Sequence, residues 1–117
     1  MNDSISISTH VLDTSLGAPA QGIPVTLGRM DERGAATTIM SAVTNADGRV
    51  ATLAPAGAAL ASGRYRLRFD VAGYFAAADR DSFYDVINID FRVGDEPRHY
   101  HVPLLLSPFG YATYRGS

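Results

Sequence analysis

Two histidines stand two residues apart near the end of the chain, in the segment His99-Tyr-His101. On a β-strand both imidazoles would lie on one face, about 7 Å apart, because side chains alternate and each residue advances about 3.3 Å. Imidazole accepts and returns a proton near neutral pH, so this pair suits acid–base chemistry in one groove. The pair could instead supply two of the ligands of a zinc ion.

Strands are the elements that must position these side chains. Apolar and polar residues alternate with a period of two, which predicts half-buried strands at residues 4–12, 64–71, 87–93 and 99–106. In the first of these segments Ile5 and Ile7 mark the apolar face, and His10 lies on the opposite face. In the last segment His99 and His101 share the polar face. The polar faces of these two strands therefore hold all three histidines of the chain.

Turn-forming residues separate the predicted strands. Gly, Pro, Asn and Asp favour turns at residues 16–19, 33–34, 45–48, 94–97 and 108–110. Residues 75–84, which include three consecutive alanines, predict one short helix, and residues 54–63 predict a connecting loop. The pattern as a whole predicts an all-β, antiparallel sandwich of about seven or eight strands, folded as one domain over residues 1–117.

Composition excludes several classes of function. With 10 Lys+Arg against 12 Asp+Glu and no basic run, the chain is not expected to bind nucleic acid or an anionic membrane. It has no cysteine, hence no thiolate site, and no segment typical of a secretory leader, so the cytoplasm is the expected compartment. A phosphate-binding loop, a dinucleotide fingerprint and a Gly-x-Ser-x-Gly turn are also absent from the sequence, and no cofactor is expected.

Three segments carry a family resemblance. They are Ser8-Thr-His-Val-Leu-Asp13, Asn45-Ala-Asp-Gly-Arg49 and the closing tetrapeptide Tyr114-Arg-Gly-Ser117. The chain resembles the 5-hydroxyisourate hydrolases, the enzymatic relatives of transthyretin. That resemblance implies a transthyretin-like sandwich of two four-stranded sheets with one short helix. It also implies a homotetramer, a dimer of dimers, whose subunits together cover the histidines that a lone sheet would leave open.

The resemblance assigns roles to individual residues. It assigns catalysis to His10, Arg49, His101 and Ser117. It assigns substrate binding to His10, Arg49, His99, Tyr114 and Ser117. Taken without it, Arg49 is an ordinary exposed arginine after a turn. The hormone-carrying transthyretins differ in having a lysine, a glutamate and a threonine at the positions of His10, Arg49 and His101.

The implied reaction opens the lactam ring of 5-hydroxyisourate, a small-molecule intermediate of urate degradation, without a metal. The expected product is 2-oxo-4-hydroxy-4-carboxy-5-ureidoimidazoline. The alternative is a non-catalytic, transthyretin-like carrier that binds a small ligand in the channel between the subunits.

Overall fold

The alternating segments form two β-sheets in the structure, a computed structural model that describes residues 5–54 and 59–116. Within these ranges the chain forms nine strands and one helix. They are β1 (Ser6–Asp13), β2 (Ala18–Pro19), β3 (Pro24–Met30), β4 (Ala36–Val43), β5 (Arg49–Val50), β6 (Gly63–Asp70), α1 (Ala72–Ala77), β7 (Val86–Val93), β8 (His99–Ser107) and β9 (Gly110–Thr113). The predicted class, a β-sandwich with one short helix, is confirmed.

The first sheet has the strand order β2-β1-β8-β9, and the second has the order β4-β3-β6-β7. Strand β5 also pairs with β1, next to the Thr9–His10 segment, whereas β2 pairs with the end of β1 at Leu12. These two short strands share one edge of β1, so the first sheet is five-stranded but only four positions wide. All strand pairs are antiparallel except β1 and β8, which run parallel along the whole of β1.

The core lies between the inner faces of the two sheets. The apolar residues of the alternating segments point into it as predicted, and Ile7, Leu67, Phe69 and Leu104 are completely buried. Burial of each such side chain contributes roughly 1.5–3 kcal/mol. Because the side-chain period is two, this burial also fixes the opposite faces of β1 and β8 toward the outside. That constraint places the three histidines on the outer faces of β1 and β8.

The helix is shorter and earlier than the sequence predicts. Only the start of the predicted segment 75–84 is helical, and α1 ends at Ala77 because Asp79 takes a left-handed conformation with φ of 55°. The three alanines favour a helix, but they lie at the end of α1 and not at its start. At six residues, α1 is far too short to cross a bilayer, and the described residues contain no other helix that could.

A buried carboxylate fastens the segment after α1 to the first sheet. Asp13, at the end of β1, is fully buried and accepts hydrogen bonds from Tyr74, Arg80 and Ser15. Burial alone would raise the pKa of Asp13, but these hydrogen bonds and the Arg80 charge outweigh it and lower the pKa from 3.8 to about 2. Arg80 therefore holds the residues after the helix against the end of β1.

Candidate active site

Five polar side chains line the outer face of strands β1 and β8. The parallel register sets Ser6 opposite His99 and Ser8 opposite His101. His10 follows on the same face of β1, because it is two residues beyond Ser8. The structure thus brings the three histidines, predicted from two separate segments, onto one surface of the first sheet.

A tight turn before β5 delivers Arg49 to this surface. The Asn45 side-chain oxygen accepts hydrogen bonds from the backbone N–H groups of Asp47 at 2.9 Å and Arg49 at 3.0 Å. Gly48 takes a φ of +74°, which favours glycine, and a side chain there would collide with the backbone of β1. Strand β5 then pairs antiparallel with β1, and Arg49 lies directly opposite His10. Side chains in such a pair are about 5 Å apart at Cβ.

The C-terminal tail reaches the same surface from the other side. After β9, the Gly116 N–H donates a hydrogen bond of 2.8 Å to the carbonyl of His101. The approach is so close that a Cβ atom on Gly116 would lie 2.7 Å from Cδ2 of the His101 ring. At position 116 the tail can pass this close to the His101 ring only with a glycine. Ser117 lies outside the described residues, and it follows Gly116 directly in the sequence.

A chain of hydrogen bonds joins two of the histidines through serines. Ser6 Oγ lies 2.6 Å from Nδ1 of His99, and Ser8 Oγ lies 2.7 Å from Nε2 of His99 and 2.7 Å from Nδ1 of His101. The sequence analysis assigned no role to either serine, although the period of two puts both on the same face of β1 as His10. The available signal was the unbroken alternation of serines leading to His10.

The electrostatic environment singles out His101. Partial burial lowers its pKa from the ordinary 6.5, and the nearby charges of Arg49, His99 and His10 lower it further. The ring borders an open groove of about 340 Å³ lined by Ser8, Thr9, Arg49, Val50, Ala51, His99 and His101. A neutral imidazole beside a guanidinium, at the wall of a groove, can take a proton from a bound water.

Comparison with known proteins identifies the family of the chain. The model of the HIUase/Transthyretin family matches residues 7–116. The chain belongs to the HIUase/Transthyretin family. It is 45% identical to 5-hydroxyisourate hydrolase 2 of Rhizobium meliloti (strain 1021) over 121 residues, which covers 100% of both chains.

Two solved structures of the family have the same fold. The 5-hydroxyisourate hydrolase of Klebsiella pneumoniae superposes with a TM-score of 0.81 at 44% identity, covering 96% of this chain and 93% of that one. Sea bream transthyretin in complex with thyroxine gives a TM-score of 0.85 at 31% identity, covering 94% and 93%. The expected family and its transthyretin-like fold are therefore confirmed.

Not every residue predicted from the family resemblance lies at the groove. Tyr114 is more than half exposed and lines a different pocket of about 250 Å³, which lies between the edge strands β7 and β9. His99 lines the groove and is exposed to solvent. As to the zinc alternative, no three His, Asp or Glu side chains in residues 5–54 and 59–116 converge in a way that could hold a metal ion.

Proposed function

We propose that this protein hydrolyses 5-hydroxyisourate to 2-oxo-4-hydroxy-4-carboxy-5-ureidoimidazoline, without a metal, in the breakdown of urate. The observation that carries the proposal is the meeting of His10, Arg49, His101 and the C-terminal tail on one face of the first sheet. These groups come from four distant segments of the chain. The names of the relatives at about 45% identity support the same reaction.

His101 acts as the base. Its Nδ1 is engaged by Ser8, and among residues 5–54 and 59–116 no group bonds Nε2, so Nε2 can face a water in the groove. The lowered pKa keeps the ring neutral at neutral pH, and a neutral ring can accept the proton of an attacking water. The resulting hydroxide attacks the lactam carbonyl and forms a tetrahedral intermediate. Nε2 of His101 then gives a proton to the lactam nitrogen of the substrate as the C–N bond breaks.

Arg49 stabilises the negative charge that develops on the carbonyl oxygen. Its guanidinium presents a fixed fork of donors, and the turn from Asn45 to Gly48 holds the backbone that carries it. One well-aimed donor of this kind contributes roughly 3–4 kcal/mol to the transition state. His10, directly opposite Arg49, binds the substrate beside it. Ser117 and His99 orient the substrate ring, and Tyr114 belongs to the segment that positions the tail.

A homotetramer, built as a dimer of dimers, completes the site. The histidine face is an open sheet surface in one subunit, and a partner subunit would exclude bulk water from it. Large apolar side chains available for assembly include Leu16, Phe83 and Phe109, which are 62%, 75% and 70% exposed. Both sheets also end in edge strands, β7 and β9, beside one shared pocket. Subunits held apart should lose activity, and a fully active monomer in a sizing experiment would refute the shared site.

In this proposal residues 1–117 belong to a single catalytic domain, since both sheets contribute to one core. We propose the cytoplasm as its compartment. The absence of cysteine fits a reducing environment.

The test is a coupled assay with urate oxidase, in which the decay of 5-hydroxyisourate absorbance is followed with and without this protein. The wild type should accelerate the decay, whereas His101→Asn and Arg49→Glu should each lower the rate by about 10²–10³-fold. Arg33→Glu makes the same charge change at an exposed turn far from the groove and should behave as wild type. Wild-type protein that leaves the decay unchanged would refute the hydrolase assignment.

A small-ligand carrier is the second candidate. The likeness to a transthyretin in complex with thyroxine favours it, because the same fold there holds a ligand. A carrier would bind an aromatic ligand in a titration and would leave the decay of 5-hydroxyisourate unchanged. The two readings thus give opposite results in one assay.

A further inference from the structure

The hydroxyl of Ser8 bridges two imidazoles. It lies 2.7 Å from Nε2 of His99 and 2.7 Å from Nδ1 of His101. The two rings are nearly parallel, with centroids 6.5 Å apart, so they are linked through the serine and not by direct contact. Ser6 extends the chain at the other nitrogen of His99, at 2.6 Å. Ser8 itself is buried beneath the rings, away from competing water.

A hydroxyl has one proton, and this constrains both rings. Ser8 can donate to only one of the two nitrogens, so the other must carry its own proton to make its hydrogen bond. In one arrangement Nδ1–H of His101 donates to Ser8, which donates to Nε2 of His99, and Nε2 of His101 is left free to accept a proton. In the reverse arrangement Ser8 donates to Nδ1 of His101, whose Nε2 then carries a proton. The tautomers of the two histidines are therefore coupled.

We infer that Ser8 is a positioning residue that fixes the tautomer of His101 and passes a proton between His101 and His99. This inference rests on the proposed hydrolysis. During attack, the water O–H bond breaks as the Nε2–H bond of His101 forms. The Nδ1–H proton of His101 moves to Ser8, and the hydroxyl proton of Ser8 moves to Nε2 of His99. When the lactam C–N bond breaks, the transfers run in reverse, and the leaving nitrogen takes its proton from Nε2 of His101.

The surroundings of the two rings favour this transfer. The charges facing His101 are those of Arg49 on β5, His10 on β1 and His99 on β8, and together with burial they disfavour an imidazolium at His101. In a protonated His99 both ring N–H groups have a hydroxyl oxygen to donate to, Ser6 at Nδ1 and Ser8 at Nε2. Holding the proton on His99 between attack and ring opening leaves His101 neutral beside Arg49. The histidine that sequence reasoning gave only a substrate-binding role thus acquires a second one.

Ring-nitrogen NMR on protein labelled with ¹⁵N-histidine tests the coupling without substrate. The wild type should show His101 protonated at Nδ1, with Nε2 free. In Ser8→Ala the ring nitrogens of both His99 and His101 should change shift, because each loses its shared partner. Ser8→Thr, which keeps a hydroxyl, should restore the wild-type pattern, and Ser41→Ala on β4 is the matched control. Unchanged shifts of both rings in Ser8→Ala would overturn the inference.

The coupled assay then tests the proton transfer. Ser8→Ala should lower kcat by about 10–100-fold with little change in KM, and Ser8→Thr should recover most of it. Wild-type kcat in Ser8→Ala would overturn the transfer while leaving the proposed hydrolysis intact. An inactive wild type would refute the hydrolysis and the transfer together, and the NMR result would still decide the tautomer coupling. Thermal melting of each variant separates these effects from loss of folding.

Discussion

Replacing Gly116 by alanine places a methyl group against His101. The new Cβ would lie 2.7 Å from Cδ2 of the ring, whereas carbon atoms in ordinary contact are about 3.5–4.0 Å apart. The tail or the ring must therefore move by about 1 Å. If the ring turns, Nδ1 leaves Ser8, and if the tail lifts, the hydrogen bond from the Gly116 N–H to the His101 carbonyl breaks. Either movement displaces a group of the proposed site.

A displacement of about 1 Å costs on the order of 10²-fold in rate, or about 2.7 kcal/mol of transition-state stabilisation. We therefore expect kcat/KM of Gly116→Ala to fall about 100-fold in the coupled urate oxidase assay. The melting temperature should change little, since Gly116 lies outside the core and makes one backbone hydrogen bond to β8.

Gly73→Ala is the matched control, because it adds the same methyl group on α1 where no atom lies within 4 Å. It should keep wild-type activity and gain roughly 0.5–1 kcal/mol of stability from helix propensity. If Gly116→Ala were as active as Gly73→Ala, the close approach of the tail to His101 would have no part in turnover.

Other perturbations test other parts of the structure. Asp13→Asn should lower the free energy of unfolding by roughly 2–3 kcal/mol at neutral pH, because the pKa of this carboxyl is lowered from 3.8 to about 2. That stability is present above pH 3.8 and is lost as the pH falls toward 2. The variant should therefore show a flatter acid denaturation curve than the wild type. Asn45→Ala removes the acceptor that holds the turn before Arg49 and should lower kcat/KM about tenfold without unfolding the protein, and full activity would show that the turn needs no such support. The acid limb of the kcat/KM profile should lie below pH 6.5, because the lowered pKa of His101 keeps the neutral base at lower pH, and a midpoint above 6.5 would exclude His101 as the base. Adding residues after Ser117 should impair turnover measurably, whereas the same tag at the N-terminus serves as the control.

The alternation of apolar and polar residues with a period of two predicted the main strands and the direction of their side chains. It placed His10 and the pair at 99 and 101 on outward faces, because burial of the intervening apolar residues leaves no other choice. It could not predict that β1 and β8 are neighbours, since nothing local to either strand encodes a partner some 93 positions away. The parallel direction of that pair was missed for the same reason.

The remaining differences have local causes. Strands β2 and β5 are two residues long, too short for any alternation to be seen, and they exist because β1 offers a free edge. The helix was displaced because alanine propensity is outweighed by the left-handed turn at Asp79 and the hydrogen bond from Arg80 to Asp13. Ser8 was overlooked because a serine on a polar strand face is ordinary until two imidazoles are found on it.

The pairing of β1 with β8 has a consequence for synthesis of the protein. A ribosome releases β1 first, at about 5–20 residues per second, so β1 waits on the order of 5–20 s for β8 to emerge. All strands of the second sheet lie between them in the chain and can associate during that interval. During this interval the nascent chain contains His10 and Arg49, on the paired strands β1 and β5, whereas His101 is not yet translated. The groove can therefore form only after β8 has been translated.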